Sequence, residues 1–338
     1  MKGNTIRRLR ARDASMSPTV FCMAATPFTA SGDVDEAALR AHLRHMVAAN
    51  VGVYLGSGGA GEGHALSPAE LRRIYEVGVD ECRGRVPVHA NPPEPRTAAA
   101  MLELARHAVA ANVDVVQLYP MDAGHAMRPT TAEQEAYYRD LLTAIDHPVA
   151  LSVHVFAGYM APVALLRKLC EAYAQIVAIN VIGAPVAYFV ELRDAVGARV
   201  ALNVRLVNAI EGYALGARGF LAAEPNIVPL LCRSIVDRVA ADDVAGAGDA
   251  LARLVRLSTV VNRWAPSTAR WVKMAMKVLD LPGGRGGLRK PYLMPPAPEL
   301  NEMAAGIATL RIDELAACDD ALRWDWRNGE FAKCARPT

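Results

Sequence analysis

Hydrophobic positions along the chain alternate between two kinds of segment. Short apolar runs, rich in β-branched residues, are each followed by a longer stretch in which apolar residues recur every three or four positions. Eight runs of the first kind occur: TVFCMAA, GVYLG, VPVHAN, VDVVQLY, PVALSVHV, IVAINV, RVALNV and GFLAA. Strict alternation of strand and helix predicts a parallel sheet that is buried on both faces. Eight units within residues 18–240 favour an α/β fold of the TIM type, a closed (β/α)₈ barrel, over a doubly wound sheet.

The pattern changes after the eighth apolar run. Three further helix-like segments follow, and the stretch LPGGRGGLRKPYLMPP then interrupts them with glycine and proline. We therefore predict a C-terminal helical region over residues 241–300 and a variable tail over residues 301–338. The first residues include the arginine-rich stretch IRRLRAR and no long apolar run, which predicts a flexible arm over residues 1–17.

Local signals also predict where some helices begin. Ser67 and Glu70 have the spacing of a capping box, in which each side chain accepts a hydrogen bond from the other residue's backbone N–H. Asp33 is placed to cap a helix that begins near Asp35.

Composition excludes several classes of protein. The chain of 338 residues is 52% hydrophobic and has a formal charge of only +2, with no basic stripe suited to nucleic acid. No segment has the length of uninterrupted apolar residues that a membrane span requires, and no apolar signal core occupies the N-terminus. The six cysteines are scattered without a C-x-x-C pair, which is typical of reduced thiols. We expect a cytoplasmic protein that binds a small molecule, not nucleic acid or a membrane.

Active sites of barrels are built from the loops at the carboxyl ends of the strands. Alternation along each strand predicts which side chains face inward there. The residues predicted at this mouth are Ser57, Glu62, His89, Asn91, Tyr119, Asp122, Ser152, His154, Asn180, Arg205, Glu224 and Asn226.

A glycine-rich loop follows the second strand run. Gly56-x-Gly58-x-x-Gly61 has the spacing of a dinucleotide-binding turn. However, the loop follows the second strand instead of the first, and the next helix begins only at Pro68. No acidic residue closes the following strand to hold a ribose, so we do not predict a dinucleotide site.

Five motifs in order resemble those of the dihydrodipicolinate synthase / N-acetylneuraminate lyase family of barrel aldolases, from about Thr19 to Pro296. The motifs are ATPFTASGDVD, GGAGE, HPVALS, GARGFLAAEPNIVP and VKMAMKVLDLPGGRGGLRKPYLMP. The resemblance implies a (β/α)₈ barrel with lyase activity and a homodimeric or homotetrameric assembly.

The resemblance also implies that the catalytic groups of the family have been replaced. The family's lysine at the end of strand 6, which forms a Schiff base with a 2-oxo acid, falls at Asn180, and an amide cannot form an imine. The proton-shuttling tyrosine of strand 5 falls at Ser152. The two threonines of the strand-2 loop fall at Gly59 and Ala60, and one of the paired tyrosines after strand 4 falls at Asp122. The family's carboxylate-binding arginine has no counterpart in VFAGYMAP.

Our leading hypothesis is therefore a lyase or hydro-lyase that acts on a small carbonyl or carboxylate compound without a Schiff base. The predicted catalytic residues are His154, His89, Asn180, Glu62 and Asp122, with Asn180 donating a hydrogen bond to a developing oxyanion. Arg205 is expected to bind an anionic group. The full predicted substrate-binding set is Ser57, Gly59, Ala60, Ser152, Arg205 and Glu224.

Two alternatives stay open from the sequence. The chain could be a catalytically inactive family member that binds a metabolite or a partner protein, because a scaffold does not fix function. It could instead be a metal-dependent lyase or hydrolase. We predict no cofactor, but imidazole with carboxylate is a common ligand set for a divalent metal, and the candidates are His89, His154 and Glu62.

Overall fold

Each of the eight predicted runs forms a strand, and the strands close into one parallel barrel in sequential order. The computed structural model describes residues 18–122, 124–264, 268–310, 312–316, 322–325 and 330–333. The prediction of a TIM barrel is confirmed, and pairing of Thr19 with Gly219 joins the first strand to the last. The strands are β1 Thr19–Met23, β2 Gly52–Leu55, β3 Val88–Ala90, β4 Val115–Leu118, β5 Val149–His154, β6 Ile176–Ile182, β7 Ala201–Arg205 and β8 Gly219–Ala222.

Amphipathic helices surround the barrel. They are α1 Glu36–Ala48, α2 Pro68–Cys82, α3 Ala98–Ala110, α4 Thr131–Ala144, α5 Val163–Ala172, α6 Val186–Val196, α7 Ala209–Ala214 and α8 Pro229–Ala240. The capping box of Ser67 and Glu70 is present at the start of α2. The prediction for α1 was wrong by two residues: the side chain of Asp35 caps the helix, while Asp33 accepts a hydrogen bond from Ser31.

A helical region follows the barrel, as the sequence predicts. It contains α9 Val244–Val261, α10 Thr268–Val278 and α11 Ala297–Ala308. Helix α11 crosses the boundary predicted at residue 300. The short helix α12 Asp313–Ala316 and an antiparallel pair, β9 Leu322–Asp325 with β10 Glu330–Lys333, lie in the predicted tail. The predicted arm, residues 1–17, lies outside the described residues. None of the described helices has the length and apolarity needed to cross a bilayer.

The barrel interior is layered by strand register. Ala150, Ala178 and Ala201 are paired across β5, β6 and β7 at one level, where they help to form an apolar floor. Two residues further along, Ser152 and Asn180 are paired and begin a polar level. Successive side chains on one face of a strand are two residues apart. Each step of two residues towards the carboxyl ends therefore moves from the floor to the polar layer and then to the mouth.

A glycine in β8 makes room for the polar layer. Asn203 continues that layer on β7, and its side chain occupies the space beside Gly219. A Cβ atom at residue 219 would lie 2.2 Å from Asn203 Oδ1. Only glycine fits there without displacing the asparagine.

Candidate active site

A cavity of about 660 Å³ opens at the carboxyl end of the barrel. Its walls come from the ends of the strands and from the loops after them, where the sequence predicted the site. The C-terminal region also contributes. The polar lining residues are Ser57, Glu94, Gln117, Tyr119, Ser152, His154, Asn180, Arg205, Glu224, Asn262 and Thr268, and Trp271 adds an aromatic surface.

Asn180 lies at the base of this cavity within a buried hydrogen-bond network. Its Nδ2 atom donates to Tyr54 Oη at 3.0 Å and to Gln117 Oε1 at 2.5 Å. Its Oδ1 atom accepts from Asn203 Nδ2 at 2.7 Å. Gln117 in turn donates to Asn91. Both N–H groups of Asn180 are therefore engaged within the protein, and donation to a substrate oxygen would require one of them to leave its partner.

Ser152 stands next to Asn180 in register but has no such partner. Its side chain is 2% exposed, and its hydroxyl makes no hydrogen bond to any described residue. Buried polar groups in proteins are almost always hydrogen-bonded. The unpartnered hydroxyl of this cavity-lining residue is therefore a candidate to bind a substrate atom.

His154 and Arg205 stand at the mouth of the cavity, each as the last residue of its strand. Burial, reinforced by the charge of Arg205, lowers the pKa of His154 to about 4. The imidazole is therefore neutral near pH 7 and can accept a proton. Arg205 is exposed, and no carboxylate of the described chain lies within 4.0 Å of its guanidinium. Its planar fork is thus free to bind an anion.

Glu224 follows β8 and is 8% exposed. Its Oε1 atom accepts a hydrogen bond from Ser258 Oγ of α9 at 2.8 Å, and its Oε2 atom accepts from Ala223 N at 3.1 Å. A carboxylate can accept about four hydrogen bonds. The carboxylate of this cavity-lining residue therefore keeps capacity to accept further hydrogen bonds.

Glu62 does not reach the cavity, which corrects its predicted catalytic role. It forms an ion pair with Lys273 of α10, with 2.5 Å between Oε1 and Nζ, and the two side chains are 1% and 0% exposed. Its Oε2 atom accepts from the backbone N–H of Arg289. Burial lowers the pKa of Lys273 to about 8, although the Glu62 charge opposes that shift. Glu62 therefore joins the β2 loop to the C-terminal region.

His89 and Asp122 also lie apart from the cavity. His89 is paired with Val115 near the floor, and its ring contacts Phe21 and Tyr54 at centroid distances of 4.7 and 4.6 Å. Burial lowers its pKa to about 3. The side chain of Asp122 is 47% exposed and pairs loosely with Arg96 at 3.8 Å. Of the five predicted catalytic residues, the cavity contains His154 and Asn180.

All six predicted substrate-binding residues line the cavity: Ser57, Gly59, Ala60, Ser152, Arg205 and Glu224. A hydrogen bond to a serine side chain within the glycine-rich loop and close backbone contacts fix the conformation of that loop. Ser57 Oγ accepts from Gly61 N at 3.0 Å. A Cβ atom at Gly61 would lie 2.8 Å from Ser57 N, so the turn requires glycine at that position.

Sequence reasoning missed other members of the site. Gln117 lies two residues before Tyr119, and alternation on β4 could have identified it. Glu94 follows β3 in a proline-rich loop and faces Gly58. Asn262, Thr268 and Trp271 come from the C-terminal region, for which strand alternation gives no signal.

The predicted metal ligands are not brought together. His89 packs near the floor, His154 stands at the mouth, and Glu62 is paired with Lys273. Among the residues that the structure describes, no three His, Cys, Asp or Glu side chains form a group that could hold a metal ion.

Comparison with known proteins identifies the family. The model of the dihydrodipicolinate synthetase family matches residues 16–309. The chain belongs to this family. A 4-hydroxy-tetrahydrodipicolinate synthase of Nitrobacter hamburgensis is 30% identical over 238 residues, which cover 70% of this chain and 78% of the relative. A protein of Rhizobium meliloti named "Uncharacterized DapA-like lyase" is 26% identical over 81% of this chain and 89% of its own.

Other members of the dihydrodipicolinate synthetase family extend the comparison. A Bradyrhizobium protein named "Probable 5-dehydro-4-deoxyglucarate dehydratase" is 39% identical over 101 residues, 30% of this chain and 32% of the relative. YagE of E. coli K12, solved in complex with pyruvate, superimposes with a TM-score of 0.79 at 19% identity, over 88% of this chain and 99% of that chain. These names place the chain in a family of lyases, and the structural likeness agrees with the barrel fold.

Proposed function

We propose that this family member is a lyase or hydro-lyase that acts on a small carbonyl-containing carboxylate by non-covalent acid–base chemistry. The observation that carries this proposal is a cavity that combines a neutral His154, an unpaired Arg205 and no lysine among its described lining residues. Lys273 is paired with Glu62, and Lys168 is paired with Glu135 on the surface. The nucleophile of an imine mechanism is therefore missing from the described cavity wall.

Arg205 supplies the substrate-binding charge. Its guanidinium can bind a carboxylate through two parallel hydrogen bonds, which fixes the orientation of the substrate as well as its position. Binding a carboxylate also offsets the positive charge that helps to keep His154 unprotonated. The proton affinity of His154 therefore rises when the substrate is in place.

His154 acts as the proton-transfer group. In a hydro-lyase reaction, the imidazole takes a proton from the carbon next to the substrate carbonyl, and the C–H electron pair moves into an enolate. The enolate expels the β-hydroxyl group, which takes the proton back from the imidazolium and leaves as water. In carbon–carbon cleavage, the imidazole instead takes the proton of the β-hydroxyl group, the bond between the α and β carbons breaks as that oxygen becomes a carbonyl, and the imidazolium protonates the enolate that forms. The products are an unsaturated carbonyl compound and water, or two carbonyl fragments, so atoms and charge balance without a cofactor.

The developing negative charge on the carbonyl oxygen needs hydrogen-bond donors. We assign this role to the Ser152 hydroxyl and the Arg205 guanidinium, because both N–H groups of Asn180 already donate to Tyr54 and Gln117. Asn180 then positions the polar layer beneath the substrate.

The alternative of an inactive binding protein fits the cavity less well. Side chains do not fill the mouth, and unpaired polar side chains of β5 and β7 line the same space. A homodimer or homotetramer and a cytoplasmic location stay predictions, the former to be measured by light scattering of the purified protein.

Two experiments test the proposal. Incubation with pyruvate or other 2-oxo acids and borohydride should leave the intact mass unchanged, and a trapped adduct would refute the non-covalent mechanism. In a screen of hydroxylated and oxo acids, turnover should fall by about 10²–10⁴ in kcat for His154→Gln. For Arg205→Gln, KM should rise because the carboxylate loses its cation, and kcat should fall because the oxyanion loses a donor. Glu103→Gln, an exposed change on α3 outside the cavity, is the matched control.

A further inference from the structure

The Glu224 carboxylate is a buried negative charge without a cation in the described part of the chain. Only Ser258 and the backbone of Ala223 donate to it, and no Lys, Arg or His nitrogen lies within 4.0 Å. A buried charge is costly unless an opposite charge compensates it. The charge of Glu224 also affects a neighbouring core residue. Burial is the larger cause, and the Glu224 charge the smaller one, that raises the pKa of the Cys22 thiol well above its usual range.

Arg205 lies on the same cavity wall but does not neutralise Glu224. In register, Arg205 is paired with Leu221 of β8, and Glu224 comes three residues after Leu221. Both residues line the same cavity, and no ion pair within 4.0 Å joins them in the described part of the chain.

A second, independent observation points to a ligand in this space. Ser152 is 2% exposed and lines the same cavity, and its buried hydroxyl has no hydrogen-bond partner among the described residues. The cavity thus offers a positive group, a negative group and an unsatisfied hydroxyl. A ligand of complementary chemistry would carry a carboxylate, a cation and a polar centre between them.

We propose that Glu224 is a specificity-determining residue that binds a protonated amine, so that the site takes a small amino-carboxylate whose carboxylate lies on Arg205. An ammonium group compensates the buried charge, whereas a neutral hydroxyl only hydrogen-bonds to it. This inference rests on the proposed function for the Arg205 end of the substrate. The assignment of the amine group to Glu224 rests on the contacts of that side chain.

Binding of matched ligands tests the inference on the wild-type protein. The probes are alanine, β-alanine and 4-aminobutyrate, each compared with the hydroxy acid of the same skeleton: lactate, 3-hydroxypropanoate and 4-hydroxybutyrate. Dissociation constants are measured by ligand-observed NMR. At least one amino acid should bind about tenfold or more tightly than its hydroxy partner, because hydrogen bonds to charged groups are the stronger ones. Equal binding within every pair, or no binding of any probe, would overturn the proposal.

Variants separate this inference from the proposed function. Glu224→Gln should abolish the preference for the amine and leave hydroxy-acid binding within about threefold, whereas Glu103→Gln should change neither. Equal weakening of both classes by Glu224→Gln would count against amine recognition. Arg205→Gln should weaken both classes together. If it weakens neither while Glu224→Gln still acts selectively, the anion site of the proposed function fails and the amine site stands. Should Glu224→Gln fail to fold, the wild-type comparison decides.

Discussion

Replacement of Glu62 by glutamine should destabilise the protein strongly, because it leaves Lys273 buried without a counter-charge. The pair is almost fully buried. Among the residues that the structure describes, the Gly287 carbonyl is the one further acceptor of Lys273, and Phe28 lies beneath its ammonium at 3.9 Å. Breaking a buried ion pair by removing one partner costs about 3–5 kcal/mol.

The protonation of Lys273 gives a similar free-energy cost for the loss of Glu62 and predicts how stability then changes with pH. Its ordinary pKa is 10.5, and burial lowers it to about 8 even though Glu62 favours the charged form. Without Glu62 the pKa falls further. Holding the lysine neutral at pH 7 against a value of 10.5 in the unfolded chain costs about 5 kcal/mol, at about 1.4 kcal/mol per pH unit. The unfolded chain then binds one more proton than the folded protein, so stability rises with pH by about 1.4 kcal/mol per unit from pH 7 to 10.

Urea unfolding of the wild type and Glu62→Gln at pH 7, 8 and 9 measures both effects. The wild type should show a shallower slope below pH 8, since its lysine is protonated in both states. Glu103→Gln should stay within about 0.5 kcal/mol of the wild type. The double variant Glu62→Gln/Lys273→Met should recover part of the loss. A loss below about 1 kcal/mol, or a slope equal to that of the wild type, would refute the role assigned to this pair.

Three further predictions concern the barrel interior. Arg205→Gln should raise the pKa of His154 above about 4 but not to its ordinary 6.5, because burial is the larger cause; NMR titration of the imidazole measures this, and an unchanged value contradicts the coupling. His89→Phe should reduce the loss of stability on acidification between pH 6.5 and about 3. In that range the unfolded wild-type chain takes up a proton at His89 that the folded protein does not. An unchanged slope in urea unfolding would count against this prediction. Gly219→Ala should lower the free energy of unfolding by about 1–3 kcal/mol, since its Cβ would overlap Asn203 Oδ1; an unchanged thermal midpoint would contradict that contact.

The sequence is sufficient for the fold because the signal repeats eight times and each strand shows the same apolar character. The sequence predicts which side chains face the barrel interior, but not how far each one lies from the floor of the barrel. His89 faces inward as alternation predicts, yet β3 is short and places it near Val115, close to the floor. Only the register between strands, which depends on the closed barrel, determines which inward residue reaches the mouth.

Glu62 shows a different limit. It lies in the loop that follows β2, as a mouth residue should, but its backbone is left-handed, with φ of 52°, and its partner Lys273 lies in a distant helix. No local pattern indicates a contact of that kind. Trp271 is buried and also lines the cavity, although it comes from α10 and not from a strand end. Residues of the C-terminal region enter the site only through tertiary packing.

The contacts of Glu62 with Lys273 and Arg289 also set an order of events during synthesis. Arg289 lies 227 residues after Glu62 and additionally binds the carbonyl oxygens of Gly32 and Ala65. When all eight strands have emerged from the ribosome, the later residues that hold the β1 and β2 loops have therefore not yet emerged. Completion of the catalytic mouth waits for the last part of the chain, so a nascent barrel can close before it is able to bind its substrate.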